Sequence, residues 1–116
     1  MRTAISRKID GVICTPSQYG REALDLLSQY GVPCVLVGRY LDDEKEDCVV
    51  WDNEDGARIA TRYLLEKGCK RPLYIANYPD SISSERDRLS GFVEQMKASG
   101  MEETQIQRQC LFLQNS

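Results

Sequence analysis

Four groups of polar side chains could do chemistry, and each follows a short apolar run: Thr15-Pro16-Ser17, Gly38-Arg39-Tyr40, Asp52-Asn53, and the hydroxyl-rich stretch from Asn77 to Ser84, with Arg86 and Arg88 beyond it. They supply neutral hydrogen-bonding groups, carboxylates and guanidinium forks. That inventory suits holding a polyhydroxyl or nucleobase-like small molecule. The chain has no histidine, which removes every Ser-His and Cys-His nucleophile arrangement, so no enzyme activity is expected. Cysteines stand at positions 14, 34, 48, 69 and 110 with no C-x-x-C pair. They suggest neither a zinc site nor any other cofactor. They read as reduced thiols serving as small hydrophobes, with Cys69, in the turn after Gly68, as the exposed exception. The acidic run Asp42-Asp43-Glu44 with Glu46-Asp47 lacks the glycine and spacing of a calcium loop and reads as a solvated turn. No Gly-rich phosphate loop is present.

Each polar group also has a structural reading. Thr15 to Ser17 suit a turn and helix cap, and Ser84 suits a cap with Asp87 three residues on. Asp52-Asn53 suits a cap with one of the two left over for another role. Arg86 and Arg88 lie on opposite flanks of a helical apolar stripe, and Arg88 is the better candidate for a ligand.

The elements that must position these groups alternate. Short apolar or β-branched runs at 12–14, 34–37, 48–51, 73–76 and 110–113 suit strands buried on both faces of a parallel sheet. Helical patterns lie between them. The first covers 18–30 with Ala23, Leu26, Leu27 and Tyr30 inward. The second starts at Asn53 as N-cap and ends at Lys67-Gly68, with Ala57, Ala60, Thr61, Leu64 and Leu65 inward. The third runs from Ser84 to Gly100 with Leu89, Phe92, Val93 and Met96 inward. Gly38 to Asp47 reads as an exposed linker between two strands. Strands alternating with helices imply right-handed βαβ units and a doubly wound α/β architecture. In such sheets ligands bind outside the carboxyl ends of the strands, where the polar groups gather.

The chain has 116 residues, with 15 Lys and Arg against 18 Asp and Glu, for a net charge of −3. That balance excludes a basic nucleic-acid surface. No apolar run approaches the ~20 residues that span a bilayer, and the start lacks the apolar core of a secretion signal. A cytoplasmic protein with no membrane partner is expected. Three helices over five strands would leave sheet surface bare, so a fragment is expected, pairing as a homodimer through open edges.

Several blocks follow one another in order: Asp10-Gly11-Val12-Ile13, Gly31-Val32-Pro33-Cys34-Val35-Leu36-Val37-Gly38-Arg39, Val49-Val50-Trp51-Asp52-Asn53-Glu54-Asp55-Gly56-Ala57-Arg58, Tyr63-Leu64-Leu65-Glu66-Lys67-Gly68, and Arg88-Leu89-Ser90-Gly91-Phe92. In these blocks the chain resembles the effector-binding core of the lac/gal repressor family of bacterial transcriptional regulators. The resemblance implies a periplasmic-binding-protein-like two-lobed core of parallel, doubly wound α/β sheets, incomplete in this chain. It places residues 1–51 in part of the first lobe, and 52–116 in the crossover and start of the second. It implies a small-molecule effector, with Arg88 as its gripping arginine and Ser84, Asp52, Thr15, Arg39, Gly38 and Trp51 on or beside cleft-lining positions. Operator DNA would be bound only through a helix-turn-helix absent from this chain. Gly38 stands where many relatives have Asp, which removes one carboxylate acceptor. Two alternatives stay open: a periplasmic-type solute-binding protein of the same fold, and a small flavodoxin-like domain. A receiver of the latter kind needs acidic residues after its first strand, where this chain has Cys14-Thr15-Pro16.

Overall fold

The structure is a computed structural model that describes residues 8–16, 21–42, 45–77, 79 and 81–110, the last two by their element only. Its elements run β1 (Val12–Cys14), α1 (Arg21–Gln29), β2 (Cys34–Val37), β3 (Asp47–Val49), α2 (Asn53–Glu66), β4 (Leu73–Ala76), α3 (Ser83–Ala98), a 3₁₀ turn (Glu103–Gln105) and β5 (Gln107–Cys110). The order is the alternation expected from the sequence, and every strand pair is parallel. The chain divides into two compact units, Met1–Trp51 and Asp52–Ser116.

In the first unit the sheet order is β1-β2-β3. The core is Leu24, Leu27 and Leu36, with Val12, Cys14, Val32, Cys34 and Leu41 packed on it. Leu24 and Leu27 are three residues apart and so share the face of α1 that meets the sheet. Of the face expected inward, Leu27 is buried, but Ala23 and Leu26 are only half-buried, Tyr30, beyond the helix end, is exposed, and Leu24 is buried in their place. Among the described residues the chain crosses from β2 to β3 without a helix. The crossing is tied down by Arg21, whose two terminal nitrogens donate to Glu46 at 2.5 and 2.6 Å. The linker is therefore not the exposed loop expected: Leu41 packs on the core and Arg39 is 8% exposed. Of the acidic run, positions 43 and 44 lie outside the described residues. The third strand spans 47–49 rather than 48–51. It runs only as far as its partner, with Val37 opposite Val49 and the Gly38 N–H donating to the Val49 carbonyl at 2.9 Å.

The second unit pairs β4 with β5. Phe92, Met96 and Ile106 form its core, with Leu65, Tyr74, Leu89, Val93 and Met101 around them. The stripe expected on α3 is the one buried. On α2 only Thr61 is buried, with Ala57 and Leu65 half-buried, while Ala60 and Leu64 face solvent. The last strand starts at Gln107 rather than 110, because its register on β4 sets Gln107 opposite Leu73. Positions 111–113 of the expected strand lie outside the described residues, as do 17–20 of the first helix.

Burial on both faces of the sheets is not observed. Residues 13, 35, 37, 47 and 49 share the sheet face away from α1, and there Ile13 is 81% and Val49 63% exposed. In the second unit Leu73 and Ile75 are similarly open. The apolar runs specified parallel strands, but among the described residues each sheet carries helices on one face only.

The cysteines also depart from expectation. Cys14 and Cys34 are half-buried free thiols, whereas Cys48 joins Cys69 as exposed; the Cys110 side chain lies outside the described residues. Cys48 lies on β3, all three residues of which are exposed. Burial pushes the Cys34 thiol above its ordinary pKa, with the neighbouring Cys14 and Glu46 adding to the shift. The thiolate is the reacting form. In the native protein at pH 7, Cys48 and Cys69 should therefore react with a thiol reagent at least about tenfold faster than Cys34, and all should react after denaturation. Peptide-resolved mass spectrometry of the labelling time course checks this; fast native labelling of Cys34 would refute it.

Candidate functional site

At the carboxyl end of β4 the second unit brings together the starts of α2 and α3. The α2 start is capped by Asp52, one residue earlier than expected, with its Oδ1 accepting from the Asp55 N–H at 3.0 Å. Asn53 is therefore the residue left over. Its Oδ1 accepts from Arg88 Nε at 3.1 Å. Ser84 is not a cap: α3 starts at Ser83 after Ile82, which makes no side-chain cap bond, and Ser84 is buried at 9% exposure in the first turn. Just past β4, the Asn77 N–H donates to Glu85 Oε1 at 3.0 Å. Beneath these groups, Tyr74 packs with its ring 5.2 Å from that of Phe92. Burial pushes the Tyr74 hydroxyl above its ordinary pKa, against the pull of Arg88 and with a smaller push from Glu85.

The arrangement is set by one close contact. A Cβ on Gly91 would lie 2.1 Å from the Glu54 carbonyl oxygen and 3.1 Å from the Ala57 Cβ. Only a hydrogen fits there, so α3 lies directly on the first turn of α2. One turn before Gly91, Arg88 reaches Asn53. One turn after it, Glu94 accepts from Arg58 at 2.6 Å, and Arg58 also pairs with Glu54. The Arg58 hydrogen bond holds the Glu94 carboxyl below its ordinary pKa.

In the first unit the strand ends carry a different surface. Thr15 is exposed after β1, and Arg39 is buried after β2. Trp51 follows β3 and is 68% exposed. Gly38, at φ +94°, would place a Cβ 3.6 Å from the Trp51 ring. Val37, Val49, Val50 and Trp51 line an apolar pocket of about 220 Å³. Of the six residues singled out in the sequence, the structure brings Asp52, Ser84 and Arg88 to one end of the second unit. Thr15, Arg39 and Trp51 lie at strand ends of the first. Sequence reasoning missed the Asn53–Arg88 and Glu85–Asn77 bonds. The spacing of Arg88 and Gly91, three apart on one helix face, was the available signal for the first.

The sequence matches over residues 1–112 the family described as periplasmic binding proteins and sugar binding domain of the LacI family. It is 28% identical over 97 residues to the HTH-type transcriptional repressor PurR of Actinobacillus pleuropneumoniae serotype 5b, covering 84% of this chain and 29% of that protein. It is 36% identical over 86 residues to the ribose operon repressor of Halalkalibacterium halodurans, covering 74% of this chain and 24% of that protein. The chain thus spans less than a third of these relatives' length, and both are named as transcriptional regulators rather than enzymes. Among solved structures, it superimposes on the transcriptional regulator CelR in its complex with cellobiose, with a TM-score of 0.77 and 30% identity over 95% of this chain and 35% of that one. A LacI-family regulatory protein from Chloroflexus aggregans gives a TM-score of 0.72 and 29% identity over 92% of this chain and 39% of the other. Among the described residues no helix is long and apolar enough to cross a membrane.

The Gly91 contact yields a stability test. Gly91→Ala must push α3 off α2 and should destabilise the chain by about 1–3 kcal/mol, as overpacking does. Gly56→Ala, on α2, the partner helix, with open space around its Cβ, should be neutral or stabilising by up to about 1 kcal/mol. Urea denaturation of both variants decides; equal stabilities would refute the steric account.

Proposed function

This chain belongs to the family of periplasmic binding proteins and LacI-type sugar-binding domains, and from that membership we propose that it is the effector-sensing part of a cytoplasmic transcriptional regulator and not an enzyme. Residues 1–51 form part of a first lobe, and 52–116 form the crossover and start of a second. The effector is a small polar metabolite: a sugar, a sugar derivative or a nucleobase-like molecule. Arg88, Ser84, Asp52, Thr15, Arg39 and Trp51 contact it. DNA is bound by a segment outside this chain, and the protein works as a homodimer.

The observation that carries this reading is Arg88. It is exposed at the carboxyl end of β4, the edge where ligands of open α/β sheets bind, and it is held there by Asn53. A guanidinium with five donors in a fixed fork suits vicinal hydroxyls or a carbonyl-and-nitrogen edge. The exposed Trp51 ring beside an apolar pocket supplies a flat surface of the kind that sugars and bases stack upon. The ribose repressor and the cellobiose-bound regulator among the relatives favour a sugar.

A thermal-shift screen of D-ribose, cellobiose, other sugars and nucleobases on the full-length protein identifies the effector, since binding to the native state raises the melting temperature. Arg88→Ala should then weaken its binding roughly 10- to 150-fold, the loss of a charged hydrogen bond. Stability should change by no more than about 1.5 kcal/mol, the cost of the exposed bond to Asn53. Arg86→Ala, on the other flank of α3, is the control. Undiminished binding by Arg88→Ala in calorimetry would sink the assignment.

Assembly offers a separate test. The open apolar positions Ile13, Val49, Leu73 and Ile75 favour association. The chain should sediment as a dimer or larger species, and a monodisperse monomer with cooperative unfolding would count against the pairing.

A further inference from the structure

We infer that Asn53 is a positioning residue for Arg88: it holds the guanidinium by its Nε–H, so that the terminal Nη1/Nη2 edge is the one presented to an effector. The inference rests on the reading of Arg88 as an effector contact and deepens it.

Asn53 is the first residue of α2, a position at which asparagine commonly serves the helix itself. Here Asp52 already caps that helix, so the Asn53 amide is not needed for the cap. Its backbone is anchored twice, by the Asp52–Asp55 bond and by the approach of Gly91 to Glu54. An acceptor fixed in this way meets a long side chain that is exposed and would otherwise sample many rotamers. The bond at 3.1 Å spans 35 positions of sequence and joins α2 to α3. Among the described residues it is the hydrogen bond that the guanidinium makes. Holding the fork before a ligand arrives lowers the ordering cost of binding.

The choice of nitrogen has a chemical consequence. A guanidinium can grip two acceptors along its side, through Nε and one Nη, or at its end, through the two Nη groups. With Nε–H engaged by Asn53, the end is what remains. The ligand chemistry is therefore a pair of adjacent oxygen acceptors, such as a vicinal diol or a carboxylate, approaching end-on.

The test needs no effector. In the full chain labelled with ¹⁵N, the Arg88 Nε–H resonance is assigned by its disappearance in Arg88→Lys, and its exchange with water is measured. Asn53→Ala should speed that exchange roughly three- to tenfold, the loss of one hydrogen bond. Asn53→Asp, which keeps an oxygen at the same place, should restore protection. Backbone amide exchange in α2 should stay at parent values in both variants, and the melting temperature of Asn53→Ala should fall by no more than a few degrees, roughly the cost of one exposed hydrogen bond. Unchanged Nε–H exchange in Asn53→Ala would overturn the inference. So would failure of Asn53→Asp to restore it, or a loss of α2 protection that accounts for the change. Because effector binding by Arg88→Ala is a separate measurement, failure of the functional reading and failure of this pairing are distinguishable.

Discussion

The contact between Gly91 and the Glu54 carbonyl governs the second unit. Two helices can approach this closely only where one of them has no side chain, and a Cβ at position 91 would stand 2.1 Å from that oxygen. The Arg88-Leu89-Ser90-Gly91-Phe92 block then acts as one mechanical piece. Gly91 seats on α2, Phe92 enters the core with Met96 and Ile106, and Arg88 is delivered to Asn53. The Arg58 pairs with Glu94 and Glu54 lie at the exposed rim of the same seam. Surface pairs of this kind contribute little individually, so they orient the seam more than they stabilise it.

The first unit is built under a different constraint. Its three strands are parallel, yet among the described residues no helix joins β2 to β3. Parallel neighbours normally need a longer crossover. The chain meets this by sending Leu41 into the core and by clamping Glu46 with a two-pronged Arg21 pair. At the end of that crossover the strand stops at Val49, which frees Val50 and Trp51 from the ladder. The Trp51 ring lies beside Gly38, whose φ of +94° is a conformation that favours glycine. Polar hydrogen-bonding groups dominate the end of the second unit at the carboxyl terminus of β4, and an aromatic, apolar surface dominates the strand ends of the first. Both are components of small-molecule recognition, in keeping with the family to which the chain belongs.

What the sequence by itself determined is local. The strands at 12–14, 34–37 and 73–76 were legible because short apolar, β-branched runs bounded by glycine, proline and polar residues have few other stable forms. The stripe of Leu89, Phe92, Val93 and Met96 was legible because its i, i+3, i+4, i+7 spacing keeps one helix face apolar over two turns. Arg88 and Asp52 could be read as candidates because ligands of α/β sheets gather at the carboxyl ends of strands, and Asp52 proved to be the cap of α2. Even the surplus residue in Asp52-Asn53 could be foreseen, though not which of the two would cap.

What only the tertiary structure decided depends on partners distant in sequence. Strand ends at 49 and 107 follow from the length and register of neighbouring strands, not from the residues themselves. Ala23 gave way to Leu24 because the sheet, not the helix, chooses which face of α1 is inward. Arg39 and Leu41 turned inward because a crossover without a helix must still cover a core. Asn53 met Arg88 because a glycine three residues on let two backbones touch. Propensity and periodicity act over a few residues, whereas burial and pairing are settled by surfaces that the folded chain alone brings together.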